Sequence, residues 1–185
     1  MTDHDALANQ MRSSFEASLS QRVARASRLK IQPFIPSHWF AAAASECQRM
    51  FVAGYFYGAV SAAQASVEAL SLFLRDLYGI RGAPKDSEVR WEKLHHEKIV
   101  SKNALEAAQS ILSDRNGYHH LNRSLEQNFQ NLEARAEECV NHLHTIESEV
   151  FAFSITVPGQ ITPKHPERWI DAGNGLTSVY LRQGW

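Results

Sequence analysis

Cysteine is almost absent from this chain of 185 residues, which holds only Cys47 and Cys139. Two cysteines cannot build a disulfide framework, so stability must come from a packed core, and a reducing cytoplasm is the expected setting. Both fall inside helical patterns, where a cysteine acts as a small buried side chain. An excess of one charge is missing too: 19 basic residues stand against 20 acidic ones, a formal net charge of -1. No global positive field draws in nucleic acid, so any RNA contact has to rest on a local patch. The start, Met1-Thr2-Asp3-His4-Asp5, is acidic and unlike a signal peptide. Met50 to Val67 carries no charge, but it contains Ser61, Gln64 and Ser66 and is rich in Ala and Gly. A helix buried on most sides of a bundle explains it better than a membrane span.

Several chemical signatures are also lacking. There is no Gly-rich phosphate loop and no Gly-x-Ser-x-Gly elbow. His95-His96 and His142-x-His144 lack the i, i+4 spacing that sets two metal ligands on one helix face, and no Cys or carboxylate cluster completes a four-ligand set. Neither a metal nor a cofactor is expected, and these histidines read as solvated or core residues.

What the chain does have is helical periodicity. Leu7, Met11, Phe15, Leu19 and Val23 recur every four residues and predict a helix from about Asp5 to Leu29, with a narrow apolar stripe that must pack on the body or on a partner. Pro33 and Pro36 break it. Ser37 is a suitable N-cap for a helix running to about Tyr78, long enough to expect a kink or a short break. Within it, Gly54 and Gly58 permit close approach of another helix. Asp86 or Ser87 can cap a third helix containing Val89, Trp91, Leu94, Ile99 and Val100. A fourth runs from about Asn103 to Ser113, and the two are open to being one bent helix.

The clearest helix is predicted from about Ser124 to Phe151, with Leu125, Phe129, Leu132, Ala136, Val140, Leu143, Ile146 and Val150 on one side. Its Glu126, Glu133, Glu137, Glu138 and Glu149 read as a solvated face. After Ser154, Pro158-Gly159-Gln160 signals a turn between two short extended runs, a candidate β-hairpin. The remaining tail looks irregular, and its aromatics suggest packing on the bundle or on a second subunit. The fold class is therefore all-α: an antiparallel helical bundle over 37–153, an N-terminal helix and Pro-containing linker over 1–36, and an extended tail over 154–185.

Between the fourth and the last long helix lies Asp114-Arg115-Asn116-Gly117-Tyr118-His119-His120-Leu121-Asn122. A guanidinium holds a phosphate through two parallel hydrogen bonds at any working pH. An imidazole titrates near neutrality and can move a proton. Arg115 and His120 converging on one point would suffice to cleave a phosphodiester without a metal. The other reading is structural: Arg115, His119 or His120 caps the preceding helix by bonding its last carbonyls, and Asn116-Gly117 is an ordinary turn.

Arg-Asn-x3-His at a helix junction resembles the HEPN family (higher eukaryotes and prokaryotes nucleotide-binding). The resemblance covers about Tyr55 to Phe153 and includes Ala59–Leu70, which is similar to the family's first core helix with its small residues and an acidic one, Glu68. It implies a bundle of four or five helices and metal-independent RNA cleavage by 2′-hydroxyl attack, in a toxin or antiphage-defence role. Arg115, Asn116 and His120 are the implied catalytic residues, with His119, Tyr118 and Glu68 as auxiliaries, although Tyr118 reads better as a packing residue. The implied partners are RNA, a second copy that brings Arg115 and His120 to a two-fold axis, and a cognate antitoxin or regulatory protein. No membrane is involved. Asn122 stands where some members carry a tyrosine modified by a partner nucleotidyltransferase, which argues against that mode of control. The alternative function is a non-catalytic HEPN-like dimerisation module binding a nucleotide or a protein.

Overall fold

A computed structural model describes residues 3–81, 86–113, 115–120, 129–158, 160–169 and 177–182. The chain is mostly helical, with two small pairs of strands among the described residues. The helices are α1 (Asp3–Ala26), α2 (Ala41–Ala53), α3 (Phe56–Leu77), α4 (Ser87–His96), α5 (Lys102–Leu112), α6 (Arg115–His120) and α7 (Phe129–Val150). The strands are β1 (Phe34–Pro36), β2 (Phe153–Val157), β3 (Gln160–Pro163) and β4 (Val179–Leu181). Among the described residues no helix is long and apolar enough to cross a membrane.

Helix α3 lies at the centre, packed on α2, α4, α5 and α7. Its buried face is Ala59, Val60, Ala63, Val67, Leu70 and Leu74, each fully shielded from water. The small residues at its start let neighbouring helices approach closely, and the leucines fill the far end. Helix α7 presents Ala136, Val140, Leu143, Ile146 and Val150 to the same core. Each large aliphatic chain buried in this way contributes about 1.5–3 kcal/mol.

The long helix expected from Ser37 to Tyr78 is two helices. Gly54 ends α2 in the left-handed conformation at φ 90°, with its N–H on the Met50 and Phe51 carbonyls. A Cβ on Gly58 would come within 2.8 Å of Met50 Sδ, so the bare backbone lets the two halves fold against each other. Ser37 does not cap α2, which starts at Ala41 with no side-chain cap. Instead the Ser37 N–H donates to the Ser178 carbonyl at 3.0 Å, just beyond the end of β1. The third and fourth segments are likewise separate helices. Asp86 Oδ1 accepts from the Glu88 and Val89 N–H groups to start α4, and Ser101 Oγ accepts from Ala104 N–H to start α5. Val89, expected inside, is exposed.

The described part of the C-terminal tail is bound to the bundle. Strands β2 and β3 form the expected antiparallel hairpin, with Ser154 opposite Thr162 and Val157 opposite Gln160; Gly159 of its turn lies outside the described residues. Strand β4 returns to pair with β1, Ile35 facing Tyr180. The Pro-containing linker is thus a strand rather than only a helix breaker. Trp169 is buried with its ring edge-on to Phe151 and Phe153. Arg168 donates to the Ile99 carbonyl at 2.9 Å and to Tyr78 Oη at 2.8 Å.

Helix α1 stands apart. Arg25 ties it to the body, donating to Glu133 and to the Val52 carbonyl and sitting over the Phe56 ring. The side chains of Arg12, Ser18 and Arg22 bond within the helix. The stripe Leu7, Met11, Phe15, Leu19 and Val23 is exposed, between 45% and 66%.

Candidate functional site

The junction expected between two helices is itself helical. Residues Arg115–His120 form α6, less than two turns long. Asp114 and 121–128 lie outside the described residues, as do the side chains of Asn116, His119 and His120. The expected start of the last helix at Ser124, with Leu125 and Glu126, also falls outside them.

Arg115 is the anchor of the site. Its Nη2 donates to Glu68 Oε2 at 2.5 Å across the space between α6 and α3. The two residues are the Arg of the Arg-Asn-x3-His run and the acidic residue of the Ala59–Leu70 segment, so the fold brings together two positions singled out separately in the sequence. Both are partly open to solvent, with side-chain exposures of 37% and 28%. The Arg115 Nε is buried with no hydrogen-bond partner among the described residues.

The other oxygen of Glu68 faces a second guanidinium, Arg90 Nη2 on α4, at 3.7 Å. Arg90 is buried, and its Nε donates to Ser71 Oγ at 3.0 Å; that hydroxyl donates in turn to the Glu68 carbonyl at 2.7 Å. Glu68 thus sits between two guanidiniums, and the Asp86 carboxylate also acts on Arg90. Arg90 and Ser71 carried no sequence signal, because each sits in a helix whose partners are set only by packing.

Tyr118 is buried, and its ring meets Tyr57 of α3 edge-on at 5.9 Å. It holds α6 against the bundle rather than offering a stacking surface. The carbonyls at the end of α5 are taken by Arg135 of α7. Its Nη2 reaches Ser110 O at 2.5 Å, Ser113 O at 3.3 Å and Ser113 Oγ at 2.9 Å. The cap that the structural reading assigned to Arg115 is therefore made by Arg135, a residue twenty positions further on.

The acids of α7 link elements rather than forming a solvated face. Glu133 pairs with Arg25 and Arg28, Glu137 with Arg28, and Glu138 with Arg135 and Ser110. Glu149 accepts from Ser101 at the start of α5. Partial burial opposes ionisation of Glu133, but hydrogen bonds from Arg25 and Arg28 outweigh it and hold its pKa below the usual carboxylate range. Three other histidines serve local contacts: His95 Nδ1 lies 3.1 Å from the Val100 carbonyl, His142 meets Glu138, and His144 meets Ser148. Burial pushes the Cys47 thiol far up and the Cys139 thiol up to about 12, so neither is a nucleophile at neutral pH.

Against family models, curated proteins and solved structures, the chain finds no match.

Proposed function

We propose that the chain is a metal-independent endoribonuclease of the HEPN type, with a toxin or defence role. The observation that carries this reading is Arg115 held against Glu68 beside Arg90. A guanidinium fixed along one edge by a carboxylate loses little entropy on meeting a phosphate, and it supplies charge as the crowded phosphorane forms. His120 is the general base or acid, and Asn116 orients a phosphate oxygen or the imidazole. A single imidazole cannot be base and acid in one step, so a second copy brings its own Arg115 and His120 to the same phosphodiester. RNA is the substrate, and a cognate antitoxin or regulatory protein keeps the activity in check.

The reaction needs the 2′-hydroxyl of the substrate. Cleaved RNA should end in a 2′,3′-cyclic phosphate, and an oligonucleotide with a single 2′-deoxy residue at the cut site should resist. A 3′-hydroxyl product, or cleavage of the 2′-deoxy substrate, would overturn the mechanism.

The second reading is a HEPN-like module that dimerises and binds a nucleotide or a protein without cutting RNA. It is favoured by the same ion pair, since Glu68 neutralises part of the charge Arg115 would offer. A phosphate ligand then competes with Glu68 rather than reacting.

A further inference from the structure

Helix α1 holds an apolar stripe in water along most of its length. A single exposed helix of this size is marginal without a packed face, and its five large apolar residues are too regular to be incidental surface. Beside the second half of the stripe, Phe15, Leu19, Val23 and Ala26 of α1 and Val52 of α2 form a groove of about 280 Å³, rimmed by Arg22 and Arg49. Neither arginine has a carboxylate partner among the described residues.

We propose that this surface is covered by α1 of a second copy of the chain, running antiparallel about a two-fold axis at Phe15. The stripe is symmetric about that residue, with Met11 and Leu19 one step away and Leu7 and Val23 two steps away. Antiparallel pairing therefore sets Phe15 against Phe15 and Met11 of each helix against Leu19 of the other, beside the groove. The charges are complementary in the same sense. Asp3 and Asp5 lie at the start of α1, whereas Arg22 lies near its end with Arg49 close by. Antiparallel alignment brings the acidic end of one helix towards the basic end of the other, and opposes the two helix dipoles head to tail. Parallel alignment would stack acid on acid and arginine on arginine. This surface lies on different elements from Arg115 and Glu68, so the pairing stands without the ribonuclease reading; where both hold, a single two-fold axis passes Phe15 and the paired Arg115 and His120 sites.

Light scattering during gel filtration measures the mass directly, and introduced cysteines measure the register. The two native thiols are buried and do not interfere. The wild type should elute as a dimer, and Phe15→Asp as a folded monomer that still melts cooperatively, its helical circular dichroism reduced by no more than the share of α1. Under mild oxidation Phe15→Cys should link to itself. Met11→Cys should link to Leu19→Cys when the two variants are mixed, and neither should link to itself, because like positions would lie too far apart for a disulfide. A monomeric wild type, a dimer unaffected by Phe15→Asp, or self-linking of Met11→Cys would overturn the proposal. A dimer with these links that leaves RNA intact would keep it and remove only the ribonuclease reading.

Discussion

Arg182, just after β4, donates to Glu147 of α7 at 2.6 Å, and both side chains are almost wholly removed from water. The same guanidinium donates to the Gln32 carbonyl at 3.1 Å and to Ser45 Oγ at 3.1 Å, so one side chain ties the C-terminal strand to α2, α7 and the segment before β1. Burial pushes the Glu147 pKa up, and Arg182 only partly reverses it. Removing one member of such a pair leaves the other charge buried alone. Arg182→Ala should lower stability by about 3–5 kcal/mol, read as a shift in the urea midpoint at unchanged slope. Glu147→Gln keeps a polar acceptor but leaves the Arg182 charge buried without a counter-charge, so it should cost a comparable amount. A loss in Glu147→Gln far below that of Arg182→Ala would mean that charge plays no part in this contact.

The break between α2 and α3 gives a second test. Gly54 needs φ 90°, and a Cβ there would lie 3.1 Å from Arg25 Nη1. Gly54→Ala should destabilise by about 1–3 kcal/mol through backbone strain and should disturb the attachment of α1. An unchanged or raised melting temperature would contradict the role given to this glycine.

Much of the helical architecture was readable because packing and periodicity agree. The residues of α3, α5 and α7 that recur every three or four positions are largely those that face the core. The turn at Pro158 gave away the hairpin. What escaped has a common physical cause: each contact joins segments distant in sequence through backbone or guanidinium groups that carry no pattern. The β1–β4 pairing, the Arg135 cap on α5 and the Arg90–Glu68 contact are of this kind. Ser37 looked like an N-cap because serine bonds free N–H groups, yet α2 starts four residues later with Phe40 at the cap position. At the site, Arg115 and Glu68 were both legible as candidates, but nothing in the sequence alone set one against the other.

Acid should release α1. Glu133 has its pKa held below the unfolded value by the hydrogen bonds from Arg25 and Arg28, against the opposing effect of burial. Its contribution is therefore fully present above the unfolded carboxylate pKa and is lost as pH falls through the lower folded value. Limited proteolysis within 3–30 should accelerate over that acidic window. In Glu133→Gln the cleavage should be fast already at neutral pH. Equal protection of wild type and variant at neutral pH would show that this carboxylate does not anchor the helix.

Stability separates the two arginines near α6. Arg135→Ala removes the cap on α5 and leaves several carbonyls without a partner, so it should cost about 2–3 kcal/mol. Arg115→Ala breaks one half-exposed ion pair and should cost no more than about 1 kcal/mol. Thermal melts of the two variants check this ordering. The reverse order would assign Arg115 a structural task and weaken the case for a site.

The central claim is that Arg115 and His120 cleave RNA, and the most direct measurement is a single-stranded RNA cleavage assay in EDTA with purified wild type, Arg115→Ala, His119→Ala and His120→Ala. Loss of a general acid or base lowers the rate by about 10²–10⁴-fold, and loss of a charge contact to the transition state has a similar effect. The wild type should cut in EDTA, Arg115→Ala and His120→Ala should fall by that factor while melting within a few degrees of wild type, and His119→Ala should keep most of the activity. Wild-type cleavage rates in His120→Ala, or an inactive wild type, would contradict the account.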